Sequence, residues 1–438
     1  MRTCNRMLTA FAVITIILSS CTKKQMIAQQ DPPAVLPEKE NPKTSDATWA
    51  QNEFMLSTFF ALPGSGDTAV YRKILTYTKE SGINLVELTF LSRAALIPAL
   101  DVAENVGVKT LVEDLSSFSG FQTTAPSFTE DTVINTVNWL NNYPMVEGYY
   151  LWDEPYQTDF SQVRILRDLF KEHDPARLAF SVILPSYGPY TWADSSYPAY
   201  VDNYLSTVEP EVVSFDYYPF RENLASVNLV NNDLWKDFGY IRKKALQYNK
   251  PLWFYFQAIG MQPGQTSIMN LERIQVQMYA ALAYGVKGLS YYTSHEALID
   301  ATTYDKTPLF NDLKTLNTAV KHIGNFLFNK QSEELYQTGI LAQNQNRYYL
   351  DKIDSSDLLH TAPDNLVIGL FGDSTTTKYV LVTNKNFSAE TDGVITLRRT
   401  AKVSEFNKTT NTTAILSNST DSIIIQLPPG EAALYIIE

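Results

Sequence analysis

The sequence predicts an α/β fold, a (β/α)8 TIM barrel, followed by an antiparallel β-sandwich domain. Three observations carry this. Between about residues 49 and 330, eight short apolar runs alternate with eight amphipathic stretches of helical period. The apolar runs are nearly continuous, as strands covered on both faces must be. Beyond 330 the pattern changes to short alternating runs broken by Asn, Asp, Ser, Thr and Gly, with little helical propensity.

The barrel strands are expected at 53–61, 84–90, 108–113, 146–152, 178–184, 211–218, 251–257 and 287–292. The helices between and after them fall at 69–82, 94–107, 131–142, 161–173, 198–207, 234–247, 271–285 and 310–327. An open doubly wound sheet is the rival architecture. It would place a glycine-rich phosphate loop after the first strand, and 61-ALPGSGDT-68 lacks the spacing. Gly64 and Gly66 suit a tight turn instead. In the tail of about a hundred residues, 347–353, 376–385, 391–399, 422–430 and 431–438 read as strands. This domain either shields one side of the barrel or binds glycan.

The N-terminus reads as targeting sequence. Arg2 and Arg6 precede the apolar run 8-LTAFAVITIILSS-20, too short to span a bilayer comfortably. It ends in 18-LSSC-21, which resembles a bacterial lipoprotein box with Cys21 as the acylated residue. Processing there would discard Cys4, leaving no thiol for a disulfide or a nucleophile. Residues 22–48, rich in Pro, Lys, Glu and Asp, read as a flexible tether. The expected organisation is therefore a leader over 1–21, a tether over 22–48, a barrel over 49–330 and a sandwich over 331–438. Its expected place is the cell envelope, at the outer membrane, held only by the lipid; 22-TKKQ-25 does not match an acidic export signal, so the face stays open.

A net charge of −12 with no basic patch argues against a nucleic-acid partner. The four histidines, at 173, 295, 322 and 360, do not cluster, so no metal or other cofactor is indicated. The chain carries 26 Tyr, 22 Phe and 6 Trp. Most of these rings must pack the core; some could stack on a sugar.

Barrel chemistry gathers where strands end, because side chains there converge on one opening. The strand ends supply Glu87, Glu113 and Asp114, Asp153 and Glu154, Asp216, Gln257, and His295 with Glu296. Such a ring of acids is expensive to bury without water, ligand or donors. Glu154 is the leading catalytic candidate: Pro155 biases it toward extended backbone, and its parity with Tyr150 and Trp152 places the three on one strand face. Aromatic walls and the neighbouring Asp153 would raise its pKa and keep a proton ready for a leaving oxygen. A helix-start carboxylate is the alternative reading.

The stretch 152-WDEP-155 resembles the strand-four motif, commonly Asn-Glu-Pro, of barrel glycoside hydrolases of the large retaining clan. The Asp-Glu-Pro form is similar to bacterial barrels grouped near the beta-galactosidase-like families. The resemblance covers residues 50–328 and implies Glu154 as acid/base, a carbohydrate substrate, and a nucleophilic glutamate ending strand seven. The chain departs from it there, since 251-PLWFYFQAIG-260 holds no carboxylate. Gln257 cannot trap an oxocarbenium-like centre and would instead bond a sugar hydroxyl or an acid.

Three readings follow. In the first, Asp216 in 214-SFDYYPF-220 is the base, set across a wider gap from Glu154, with Glu113 and Asp114 orienting substrate. In the second, the loop 290-SYYTSHEALID-300 supplies the charge through Glu296, biased by His295. In the third, hydrolysis is lost and the barrel binds glycan, with Trp152, Tyr217, Trp253 and Tyr291 as stacking platforms. Isomerase or aldolase chemistry would want a lysine at a strand end, whereas Lys109 and Lys287 stand at strand beginnings.

Overall fold

The computed structural model describes residues 48–118, 120–121, 127–188, 196–220, 229, 233–261, 269–339 and 345–438. The leader, Cys21 and almost all of the tether lie outside the described residues. No helix among the described residues is long and apolar enough to cross a membrane.

The barrel strands are β1 Met55–Thr58, β2 Leu85–Leu88, β3 Lys109–Val112, β4 Val146–Asp153, β5 Leu178–Val182, β6 Val213–Tyr217, β7 Leu252–Gln257 and β8 Gly288–Tyr292. They pair in parallel in the order β5-β4-β3-β2-β1-β8-β7-β6, and a two-residue strand, Gly120–Phe121, adds to β4. A parallel bridge between Ile183 and Phe215, with the Ile183 N–H donating to the Ser214 carbonyl at 3.0 Å, joins β5 to β6 and closes the cylinder. Closure excludes the open-sheet alternative.

The outer layer is α1 Thr68–Glu80, α2 Arg93–Val106, α3 Glu130–Leu140, α4 Phe160–His173, α5 Tyr197–Val208, α6 Leu234–Gln247, α7 Leu271–Ala283 and α8 Phe310–Phe326. Side-chain oxygens at the start of α1, α2, α3, α5 and α7 (Asp67, Ser92, Thr129, Ser196 and Asn270) accept first-turn N–H groups. These caps fix where each βα loop ends, and so the height of the rim.

Strand parity divides the apolar residues into an inner and an outer set. Met55, Phe59, Leu85, Leu111, Tyr150, Leu178, Phe180, Trp253 and Tyr255 form the inner core. Near the strand beginnings, Trp253 is buried and donates its indole N–H to Gln51 at 3.0 Å. Gly288 makes room for it: a Cβ there would lie 2.6 Å from the indole. The same end holds the paired charges, with Lys109 bridging Glu53 and Glu147 and Lys287 bonding the Leu327 and Lys330 carbonyls.

The tail forms β9 Gln331–Gln337, β10 Leu359–Thr361, β11 Leu366–Gly372, β12 Lys378–Asn384, β13 Thr391–Asn407, β14 Thr412–Leu427 and β15 Ala432–Ile437. They make one seven-stranded antiparallel sheet in the order β9-β11-β12-β15-β13-β10, with β14 on β13. Register shifts between Thr396 and Val403 interrupt β13, whose first part pairs β10 and whose last part pairs β15. Both parts feed one apolar core. The expected strand at 347–353 is instead a helical turn, Gln345–Tyr348, and a 3-10 turn, Ile353–Ser355. The Tyr348 backbone packs against Gly239 of α6, where a Cβ would fall 2.1 Å from the carbonyl oxygen, and that contact overrides the alternating pattern. Helix α7 is buried almost all round from Ile274 to Ala283, between the barrel and β11–β12.

Replacing Gly288 by Ala is expected to destabilise the fold by about 1–3 kcal/mol through overpacking against Trp253. Gly64→Ala, where nothing lies within 4 Å, should be near neutral. Chemical denaturation of both variants checks this; equal midpoints would contradict the packing assigned to Trp253.

Candidate active site

Four of the predicted acids converge at the strand ends: Glu113, Asp153, Glu154 and Asp216. Glu87 sits deeper on the same axis. Asp153 and Asp216 are buried, and each feels the charge of Glu154. Asp216 lies close enough to Glu154 and Tyr218 for both to bear on its protonation, Glu154 favouring the neutral acid and the Tyr218 hydroxyl the carboxylate. Its Oδ1 is buried without a partner. Burial first, and then the charges of Asp153, Asp216 and Glu154, push the Tyr292 phenol up to about 12.

The backbone at β4 explains how two successive carboxylates reach one site. Tyr150 pairs with Phe180 while Trp152 pairs with Ser181, so Leu151 is an extra residue in the ladder. This bulge resets the parity: Tyr150 and Asp153 both point inward, and the Tyr150 hydroxyl donates to Asp153 Oδ1 at 2.9 Å. The expectation that Tyr150, Trp152 and Glu154 share one face is therefore overturned. Glu154 is not extended either; its φ of 50° is left-handed despite Pro155, with its N–H bonded to the Val182 carbonyl at 3.0 Å.

Burial drives the electrostatics. Desolvation raises Asp153 well above the ordinary aspartate value, followed by repulsion from Glu154, while the Tyr150 hydroxyl opposes the rise. Asp216 is raised well above its usual value for the same first reason, then by Glu154 and Asp153. Glu87, fully enclosed, is pushed up to about 7 by desolvation, against hydrogen bonds from Tyr255, Ser290 and Ser57. Those bonds measure 2.6, 2.8 and 2.8 Å. Glu113 accepts the Phe90 N–H and contributes to the field at Asp153.

Other predicted site residues are placed elsewhere. Asp114 is buried under Arg93 in an ion pair and accepts the Ser116 N–H and hydroxyl, so it braces a loop and does not orient substrate. Gln257 is consumed by backbone: Oε1 accepts the Phe220 N–H at 2.7 Å, and Nε2 donates to the Phe220 and Ile259 carbonyls. Trp152 lies under Gly120 in the outer layer, Tyr217 packs edge-on to Tyr187, and Trp253 fills the barrel floor. Tyr291 faces α8 and donates to Asn317 at 2.6 Å. None of these four rings is a platform at the mouth. His295 bonds the Ala61 carbonyl through Nε2 at 3.1 Å, tying the β8 loop to the β1 loop. Glu296 is exposed on a turn and feels Asp300, not the buried cluster.

The rings that do line the acids are Tyr150, Tyr218, Tyr292 and Phe59. Tyr218 and Tyr292 lie 4.6 Å apart, and Phe59 lies 5.9 Å from Tyr292 and 5.8 Å from Tyr150. Further out, Phe60 and Phe90 stack at 4.7 Å, with Phe90 still 38% exposed. Parity with Asp216 is a signal that singles out Tyr218; nothing local distinguishes Tyr292 from Tyr291. Among the described residues, no group of three or more His, Cys, Asp or Glu is arranged to hold a metal ion.

No family model matches this chain, and no curated protein does. Solved structures match in fold. A Bacteroides fragilis protein provisionally designated an alpha-galactosidase aligns with TM-score 0.53 at 8% identity, over 88% of this chain and 79% of that one. A GH27 beta-L-arabinopyranosidase from Geobacillus stearothermophilus, crystallised with arabinose, aligns at 0.52 and 10% identity, over 89% and 98%. At these identities the likeness is one of fold.

Glu87 makes stability depend on pH. Its folded pKa lies above the ordinary 4.5, so the stability it contributes is complete below 4.5 and is lost as pH rises toward 7. Glu87→Gln removes that loss. Relative to wild type, the variant should gain about 3 kcal/mol between pH 4.5 and 7 and no more above. Unfolding titrations at pH 4.5, 6 and 8 check it; a constant difference would contradict a neutral, buried Glu87.

Proposed function

We propose that this chain is a glycoside hydrolase whose proton donor is the hydrogen-bonded Glu154–Asp216 pair and whose second carboxylate is Asp153. The observation that carries the reading is the gathering of Glu154, Asp216 and Asp153 at the strand ends, where both buried aspartates feel Glu154 and Asp216 is close enough to share a proton with it. Two carboxyl groups bond directly only when one proton lies between them. A proton retained there is available to a leaving-group oxygen at pH values where an isolated carboxyl has lost it. Asp153 then supplies the negative charge to the anomeric carbon or to a water. The Tyr150 hydroxyl favours its ionised form.

This arrangement differs from the expectation that Glu154 and Asp216 stand apart across a water. In this reading the two act as one donor and Asp153 takes the opposing place. It also dispenses with a strand-seven nucleophile, consistent with a Gln257 spent on backbone. The aromatic lining and the Phe60–Phe90 rim suit the apolar faces of a pyranoside. The fold neighbours' names suggest α-galactosides and β-L-arabinopyranosides as the first substrates to assay.

Asp153→Asn and Asp216→Asn should each lower kcat by about 10²–10⁴-fold on whichever glycoside is turned over, with binding retained. In wild type the acid limb of kcat/KM should lie well above pH 4, because activity is lost as the raised Asp153 takes up its proton. The anomer of the first product, read by NMR, assigns attack to Asp153 itself or to a water. Full turnover in both variants would overturn the reading, and saccharide binding without hydrolysis in wild type would favour a glycan-binding barrel.

We also infer that Cys21 is lipidated and anchors the chain to the cell envelope, from the 18-LSSC-21 sequence after an apolar run. Cys21→Ser should move the protein from the membrane to the soluble fraction; unchanged fractionation would refute the anchor.

A further inference from the structure

The rings that wall the acids continue outward, and two routes lead to the same place. On one, Phe59 of the inner core lies 5.8 Å from Tyr150 and 5.9 Å from Tyr292, and on its other side 5.0 Å from Phe60 and 6.0 Å from Phe90. On the other, Phe121 pairs with Asp153 in the parallel ladder and lies 6.5 Å from Phe90. Phe60 packs on the inner core, and Phe90 lies against it nearly parallel, 4.7 Å away at 12°. Among the described rings only Phe90, at 38%, and Tyr248, at the end of α6, are exposed.

Groups outside the ring hold Phe90 where it is. Its N–H donates to Glu113 Oε2, Ser92 caps α2 two residues on, and Arg93 pairs with Asp114. The residue after Phe60, Ala61, is tied to the β8 loop through its carbonyl and His295 Nε2 at 3.1 Å. A flat apolar surface is thus set beside the acids before anything binds, which lowers the cost of binding to it.

We propose that Phe90, backed by Phe60, is a stacking platform for a second sugar unit, joined to the unit held at Asp153 and Asp216. The inference rests on the hydrolase reading and deepens it: the substrate is a disaccharide or longer. The occupant has two demands to meet. The acids call for hydroxyl donors, with Asp216 Oδ1 buried and unpartnered, and Phe90 calls for a flat face of C–H groups. A chain of pyranoses brings both, hydroxyls around each ring and C–H bonds on its faces. An acyl chain or an apolar peptide side chain would cover Phe90 and leave the acids without donors. A single ring, Phe59, spans from Phe90 to Tyr150 and Tyr292, so the two sugar positions adjoin.

The test uses the Asp153→Asn protein, which leaves sugars uncleaved. An array of pyranose mono- and oligosaccharides, galactosides and arabinopyranosides included, selects the tightest disaccharide, which is then titrated by calorimetry beside its terminal monosaccharide. The disaccharide should bind about tenfold more tightly or better, and Phe90→Ala should erase most of that advantage. Phe90→Leu, apolar but not flat, should erase it likewise, whereas Phe90→Tyr should keep it. Unfolding midpoints close to that of the parent show each variant folded, as an exposed ring leads one to expect. No advantage for the disaccharide, an advantage that survives Phe90→Ala, or full affinity in Phe90→Leu would overturn the platform and leave hydrolysis standing on Asp153. Disaccharide binding that depends on Phe90 in a wild type that cleaves nothing would sink the hydrolase reading alone, and binding of no sugar on the array would overturn both.

Discussion

The withdrawal of carboxyl groups from water at one end of a closed barrel is the constraint on which the rest of the molecule depends. Glu87, Asp153 and Asp216 have no cation among the described residues to offset them; their stabilising partners are hydroxyls. An ionised carboxylate in such a place is expensive, so the groups keep protons, share them, or accept from phenols. This makes the tyrosines part of the electrostatics. Tyr150 and Tyr255 each present a ring to the apolar interior and a hydroxyl to an acid, which an apolar ring alone could not do.

Much of the fold was legible because it rests on patterns that tertiary context does not override. The strand runs are apolar throughout since each strand is covered on both sides, and the caps before α1, α2 and α7 are small polar residues at helix starts. The gathering of acids was legible for the same reason: a carboxylate at the end of a barrel strand has only one opening to face. The exact facing was not. A single extra residue, Leu151, shifts everything after it by one position, and no turn signal marks it. Parity read straight through β4 therefore sends Trp152 inward and leaves Asp153 undecided, the reverse of what the ladder does.

The aromatic platforms failed for a related reason. An excess of Tyr, Phe and Trp looks like ligand-binding capacity when only numbers are available. Here the inner and outer cores absorb it: Trp253 against Phe180 and Gly288, Trp152 against Gly120, Tyr291 beneath α8. What remains for the mouth are rings whose hydroxyls are already engaged by acids or whose edges close the rim. The loss of Gln257 as a ligand follows from the same demand. The β6–α6 loop begins with Phe220, whose N–H and carbonyl would be buried without a partner, and an amide supplies both a donor and an acceptor where a carboxylate could not.

The two ends of the barrel show how one residue type is put to opposite uses. At the strand beginnings, Glu53 and Glu147 share Lys109 at 2.9 and 3.1 Å, and Trp49 donates to Glu147 at 3.0 Å. Those carboxylates are neutralised locally, and nothing further need be bound there. At the strand ends the acids face one another, and the backbone that presents them is under tension: Phe60, Phe90 and Glu154, the residues just past the ends of β1, β2 and β4, are all left-handed at φ of 53°, 58° and 50°. Bulky side chains in that conformation cost of order 1–3 kcal/mol each. Both the mutual repulsion and the strain would be relieved if lysines and glycines stood in these places, and the fold tolerates lysine pairing at its other end. Left-handed residues also stand elsewhere, Glu209, Asn249 and Tyr349 among them, so what sets this end apart is that its acids face one another without a lysine between them.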